Sequence, residues 1–434
     1  MRVAELLLGS FVVLVGCSSS SGSSGPPGPG ACPVTIDGAC VGVPSASICD
    51  GSSCTDGVSC TTVIEVATSA DLATATTTAT AGACIALASG HYAAVSLPAG
   101  VSLLGTGAAN VTIDGVTVGA GSGATIRGMK ITAGGLSATG AHGLALDRLD
   151  VAGGTSFGVW LVDTEAAMTA SSVEDNLGYG IVALCKDTCD PKPKLSFTGV
   201  LSQRNETSGM FLRGVDATLN AVQVSQNKVK NLQYGRGLEI GDSTVRATSF
   251  VSDGNDSVGV LVTSGDVTFG PSFGVHDNLF GIQLQAVTSA NISGFEVRGS
   301  GAVGIGMYGA KGVVIQGGIV ADTSSTVVPV DAASSEVVGD GINWLQGTDA
   351  SIDASVTVQS STRRPVIADA TSTGSLGVKL AGGDDAVGVV IQGGITASDP
   401  VGITVADGTK VNRLAQADAM PVAIPAAAAK APGE

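Results

Sequence analysis

Residues 237–284 read GLEIGDSTVRATSFVSDGNDSVGVLVTSGDVTFGPSFGVHDNLFGIQL. Three glycines, Gly237, Gly259 and Gly281, each open a short apolar run, and they stand 22 residues apart. Asn255 and Asn278 precede the second and third of these glycines by four and three residues. The unit extends in both directions: GLAL at 143, GVWL at 158, GIVAL at 180 and GMFL at 209 lie upstream, and GIGM at 304 and GINW at 341 downstream. From 158 onward the intervals are 22, 29, 28, 22, 22, 23 and 37 residues. The base period is therefore 22, and the longer intervals hold insertions such as CKDTCDPKPK at 185–194 and the stretch Thr323–Glu336. Asn176, Asn205, Asn227, Asn255 and Asn278 keep phase with the glycines, and the octapeptide GVVIQGGI occurs at both 312–319 and 388–395.

A repeat of this length with period-2 apolar alternation predicts a stack of coils, each made of about three short strands and set on the last at ~4.8 Å. Glycine allows the chain a tight turn. Asparagine tolerates left-handed backbone, and its amide can hydrogen-bond to the same amide in the next coil. The pattern over residues 61–411, with its opening GHYAAVSLPAGVSLLGTG at 90–107, resembles the right-handed parallel β-helix (pectin-lyase-like) superfamily. The fold class expected is thus all-β, a solenoid of about twelve coils. Val63, Ile64 and Val66 suggest a first strand, and Ser69-Ala70-Asp71-Leu72 begins a short cap helix with Ser69 as N-cap. A cap of this kind shields the open end of a parallel stack.

Composition agrees. Aromatics are 3% and charged residues 13%, so the core must be built from Val, Ile, Leu and Ala. The net charge of −16, without any basic cluster, excludes nucleic acid as a partner. At the N-terminus, the apolar run Leu6–Gly16 is too short to span a bilayer and reads as a signal peptide over 1–16. It ends in Leu14-Val15-Gly16-Cys17, which resembles a bacterial lipobox and implies cleavage before Cys17 and acylation of its sulfur. Ser18 implies, by the same resemblance, sorting to the outer membrane of a Gram-negative envelope. Residues 17–31 form a Ser/Gly/Pro tether, 32–60 a Cys-rich segment, and 412–434 a Pro-interrupted tail that reads as disordered. Eight cysteines remain after Cys17, an even number that suits disulfides in an exported chain. Cys185–Cys189 is the favoured pair and Cys60–Cys84 the next. No His lies between 32 and 90 to complete a zinc set.

Chemistry is harder to find. The superfamily resemblance implies a ligand row just before the strand that ends at the ladder Asn. Alternation places Thr169, Thr198, Asn220, Arg246 and Ser293 outward there, with no acid among them. His91, His142 and His276 lack ligand spacing. Asp253, Asp256 and Asp277 flank the ladder turns, where carboxylates and carbonyls could hold calcium, the sole cofactor the sequence leaves open. Gly383-Asp384-Asp385 reads as a turn. Trp160 and Trp344 would be ligand platforms if they project outward, and core fillers otherwise. The expected role is a non-catalytic, monomeric scaffold, adhesin or binding module for envelope glycans or proteins. The alternative is a polysaccharide lyase or glycoside hydrolase with Asp187, Asp190, Asp331, Glu336 and Asp340 as its acids. Two of these within ~5–9 Å of each other would favour hydrolysis.

Overall fold

A computed structural model describes residues 32–43, 57–187, 189–230, 233–329, 335–392 and 402–414. The proposed signal peptide, Cys17, the tether, Cys49, Cys54, Asp331 and the tail beyond 414 lie outside these residues.

The chain is a right-handed parallel β-helix with three faces. The first face carries the glycine-led strands, among them Phe157–Val162, Tyr179–Leu184, Arg236–Gly241, Phe280–Gln285 and Asp340–Leu345. Fourteen such strands, from Val95–Leu97 to Val411–Leu414, form one parallel sheet. Fourteen strands at ~4.8 Å make a rod of roughly 60 Å, two coils more than the repeat count suggested. The second face includes Ala166–Thr169, Gly265–Phe269 and Ser289–Ser293. The third includes Ser172–Glu174, Phe273–His276 and Phe295–Arg298. Between the second and third faces the backbone bends at a single residue of positive φ, such as Ala170 (44°), Ala221 (51°) or Ser249 (49°).

The stack is in register. Leu238 pairs with Val260, Val260 with Ile282, Ile282 with Ile305 and Ile305 with Ile342, all pointing into the core. Phe250, Phe273 and Phe269 stack inside it with ring centroids 5.0 and 4.4 Å apart. Trp344 is wholly buried and donates its indole N–H to Thr348 O at 3.0 Å, so it fills the core.

At the corner after the third face, the five asparagines form a continuous buried ladder. The side-chain amides of Asn176, Asn205, Asn227 and Asn255 each donate to the Oδ1 of the next, over 2.7–3.1 Å. Each Oδ1 also accepts the backbone N–H of the preceding Asn, as Asn227 Oδ1 does from Asn205 N at 3.1 Å. The column glycines owe their identity to this ladder. A Cβ on Gly158, Gly180, Gly209, Gly237 or Gly259 would lie 2.6–2.8 Å from the amide nitrogen of the ladder Asn beside it. None of these five adopts positive φ, so close approach, rather than the expected tight turn, excludes a side chain.

Four boundaries differ from the sequence reading. GLAL at 143 lies on the second face, where Leu144 pairs with Ala166, and Gly135 holds the column position instead. The two copies of GVVIQGGI also fall on different faces, Val313–Gln316 on the second and Val389–Gln392 on the first. An alternating run fits either face, and the neighbouring coil decides which. The cap helix is Ser69–Thr78, but Thr68 is its N-cap, accepting from Asp71 N at 3.2 Å, while Ser69 Oγ accepts from Ala93 N. Leu72 and Ala75, one helical turn apart, cover the first coil. Finally, Val411–Leu414 pairs with Val389–Gln392, which carries the solenoid past 411 into the expected tail.

Cys60 is bonded to Cys84 and Cys185 to Cys189. A further disulfide, Cys32–Cys40, closes a hairpin of Val34–Ile36 and Ala39–Val41. This hairpin docks outside the solenoid, with Ile36 and Val41 packed on Leu201 and Ala221.

Asn227→Ala removes the acceptor used by both Asn205 N and Asn205 Nδ2. Asn205 Nδ2 keeps Val173 O and Ser202 Oγ, so one buried donor, Asn205 N, is left unpaired, and a loss of roughly 1–3 kcal/mol is predicted. A clearly lowered urea midpoint for the soluble domain is the expected reading; an unchanged midpoint would mean the ladder bears little of the stability.

Candidate functional site

The outward side of each face can be read from the strand register. On the second face, Asp147, Thr169, Thr198, Asn220 and Thr248 share one column. Arg246 belongs to the neighbouring column, beside Thr218 and Thr268. Two sequence-based expectations are thereby corrected. Arg246 is out of line with Thr198 and Asn220, because Asn220 pairs with Thr248, two residues further on. The row also contains an acid: Asp147 accepts from Thr169 Oγ1 at 2.7 Å and from Arg127 Nε at 2.9 Å. Arg246 is itself bound to Asp216 at 3.1 Å. This face is a lawn of hydroxyls and paired charges.

The third face carries its charges in pairs as well. Arg204 bridges Glu174 and Asp175, and Arg298 bridges Glu296 and Asp322. Asp253 is the exception among these: burial pushes its carboxyl above the ordinary aspartate range, Asp277 adds to the rise, and His276 opposes it. Asp256 is occupied by Lys228 and by Val229 N. Among the described residues, one group alone brings three potential metal donors within 4.8 Å, Asp163 with Cys185 and Cys189, and those two sulfurs are bonded to each other. The ladder-turn aspartates form no such set. Asp384 is buried and accepts from Ser361 N at 3.1 Å, which makes it a rung above the Asn column rather than part of a site.

The first face is different in kind. All three insertions border it. The loop 185–193 leaves along one edge, while 228–235 and the hairpin of Thr326–Pro329 and Ser335–Val338 rise along the other. Between them, the third residue of each glycine-led motif points away from the core: Trp160, Val182, Phe211, Glu239, Leu261, Gln283, Gly306, Asn343. At the earlier coils this outer surface is aromatic. Trp160 is partly exposed, with its ring 5.3 Å from that of Phe157, and Tyr179 lies 5.9 Å from Phe211. At the later coils it is polar. Arg236 and Glu239 form an ion pair of 2.6 Å, each 3% exposed. Burial pushes the Glu239 carboxyl upward, against the pull of Arg236.

Further along, Gln283 and Asn343 are wholly buried; neither atom of the Gln283 amide has a hydrogen bond, while the Asn343 amide faces the Tyr308 hydroxyl. Ser208 Oγ and Glu239 Oε2 are likewise without a partner. Burial holds the Tyr308 phenol up to about 12, so it stays neutral. Val338 of the hairpin seals this end against Val258, Leu261, Phe280, Ala302 and Val303.

Among the described residues, Asp187 and Asp190 of the hydrolase alternative do not meet Asp340. Asp187 and Asp190 lie in the loop after Tyr179–Leu184, whereas Asp340 opens a strand six places along the same sheet, roughly 30 Å away. Asp340 is buried and held by two nitrogens of Arg363, with Nε at 2.7 Å from Oδ1. Glu336 sits on the hairpin strand Ser335–Val338. The residues that alternation missed are Glu239, Gln283 and Asn343. Their signal is present, since GLEI, GIQL and GINW each place a polar residue inside an apolar motif.

No family model matches the chain, and no curated protein matches it. Among solved structures it is similar to pectate lyase Pel9A, at 14% identity and TM-score 0.43 over 56% of this chain and 80% of that one. It is also similar to the A-module of the Azotobacter vinelandii mannuronan C-5 epimerase AlgE4, at 15% identity and TM-score 0.45 over 78% and 95%. An alginate lyase from Paenibacillus sp. matches at 15% identity and TM-score 0.30 over 74% and 97%.

The raised Asp253 carboxyl has a sign that can be checked. Its ionisation is harder in the folded chain than in the unfolded one, so its contribution is present below the ordinary aspartate range and is lost as pH rises through the raised value. Asp253→Asn is expected to raise the melting temperature near neutrality and to flatten its fall as pH rises from the ordinary aspartate value of about 3.9 through the raised one. A pH profile parallel to that of the unaltered chain would contradict this.

Proposed function

We propose that this chain is an exported, lipid-anchored protein of the bacterial outer membrane that binds an envelope glycan along its first face without transforming it. The carrying observation is the contrast between faces. Outward positions of the second and third faces hold hydroxyls and paired charges, while the walled first face holds Phe157, Trp160, Tyr179 and Phe211, followed by buried polar groups. A sugar ring presents an apolar face for stacking and hydroxyls at its rim; Phe157 and Trp160, partly exposed over the buried Tyr179 and Phe211, suit the first, and the amides suit the second.

Turnover would need more than this. Glycoside hydrolysis uses two carboxyl groups about 5–9 Å apart, one of them free to give or take a proton. Among the acids at the later coils of this face, Glu239 and Asp340 are each tied to an arginine, and Asp369 accepts from Thr371 and Ser372. The rigid rod and its edge insertions favour holding a partner. Acylation at Cys17, with the tether behind it, would fix the rod to the membrane surface.

The chain has two tryptophans, and Trp344 is sealed in the core. Trp160 is therefore the reporter of the first face. With Cys17→Ser protein, titration of envelope polysaccharides is expected to shift Trp160 emission, and Trp160→Ala to weaken binding by about tenfold or more. Equal binding by Trp160→Ala, or steady release of reducing or unsaturated ends, would remove this reading. Separately, metabolic labelling with an alkynyl fatty acid should mark the unaltered chain and not the Cys17→Ser variant.

A further inference from the structure

Gln283, Tyr308 and Asn343 meet around one glycine. Gln283, Gly306 and Asn343 are successive members of one outward column, and Tyr308 lies two residues along from Gly306. A Cβ on Gly306 would collide with Gln283 Oε1 and lie 2.7 Å from the Tyr308 ring. Both polar atoms of the Gln283 amide are buried without a hydrogen bond, and the buried Asn343 amide faces the Tyr308 hydroxyl. Each such atom costs about 1–3 kcal/mol in a ligand-free chain. A solenoid exterior is also where polar groups most easily reach water, so their isolation is a property of this place and not of the fold.

We propose that this cluster is a subsite for one uncharged, hydroxyl-bearing sugar residue of a bound glycan; it rests on the first-face reading above. The chemistry selects the ligand. Two carboxamides and a phenol offer donors and acceptors in alternation, which a ring of vicinal hydroxyls can satisfy together. They offer no charge: the nearby ions are closed pairs, Arg236 with Glu239 and Arg363 with Asp340. A uronate carboxylate would enter buried and unpaired, at a heavy desolvation cost. Gly306 is the position where a side chain would close the subsite. Entry requires Val338 to lift from Val258 and Leu261.

The test uses the full chain bearing Cys17→Ser, with three probes: neutral gluco-oligosaccharides, N-acetylglucosamine oligomers and oligogalacturonates. Calorimetric binding is read beside Trp160 emission. At least one of the uncharged probes is expected to bind about tenfold or more tightly than the uronate. Gln283→Leu combined with Asn343→Leu should raise the ligand-free melting temperature, since apolar replacements remove the unpaired Gln283 amide and a second buried one. The same pair should weaken the preferred probe about tenfold or more while the Trp160 response survives at higher concentration. Tyr308→Phe, which removes one hydroxyl and keeps the ring, should weaken it severalfold and guards against a double variant that does not fold.

Unaltered affinity in both variants would overturn the subsite and leave the aromatic strip standing. So would equal binding of neutral and uronate probes. A raised melting temperature in the double variant with no probe bound by the unaltered chain would mean that the amides hold water only. Loss of any Trp160 response in the unaltered chain would instead strike the first-face reading itself.

Discussion

The middle of this rod is held by one buried contact, the side-chain amide of an asparagine donating to the same amide one coil away, from Asn176 to Asn278. A carboxamide taken out of water must have its donors and acceptors met. Inside this corner the partner of Asn205 is Asn227, and the partner of Asn227 is Asn255. The requirement passes from coil to coil and forces each lap to reach the corner at the same height. The glycine column is its second consequence, because the strand that follows the corner passes too close to the amide nitrogen for any Cβ.

The ladder also governs where the chain can vary. Two of the three insertions sit beyond it: one follows Asn227 directly, and the hairpin leaves after Thr323, the ladder-column residue of its own coil. Both detours begin after the corner is secured and end before the next first-face strand, so they rise on that face's edge and no other. The position of the walls is thus a result of how the stack is held. Above Asn278 the corner passes to Ser300, Thr323 and Ser361, whose hydroxyls find no partner. Hydroxyls are too short to span a coil spacing; the column glycine persists at Gly304 and Gly341, gives way to Pro365 for one coil and returns at Gly388. Asp384 restores a long acceptor by taking Ser361 N.

Much of this was legible in the residues. Period, glycine column and ladder could be read because they answer one another: Gly237 and Asn255 are each meaningless alone and decisive at a fixed offset. What alternation could not supply was the outer surface. It separates inward from outward, so it placed Thr198 and Asn220 rightly as outward. It does not say which outward surface is covered, nor how a coil aligns with the next, and Arg246 fell into the wrong column by two residues. The identical octapeptides on different faces show the same limit, since nothing local distinguishes them. Glu239, Gln283 and Asn343 went unweighed because the glycine-led motif was read for its apolar members, although its third residue is the one that varies in chemistry from coil to coil.

That variation separates two duties that most folds must share among the same residues. Inward positions and the corner are occupied with stability and tolerate little change. The third motif position lies outside the solenoid core and the corner, so Trp160, Phe211, Glu239, Gln283 and Asn343 can differ in chemistry on a backbone that stays the same. An unpaired amide there would unsettle a small domain with a stability of about 5–15 kcal/mol. In a stack where each coil is clamped to two neighbours, a local penalty is spread along the rod. The repetition of the stack is therefore what permits one face to hold polar groups out of water.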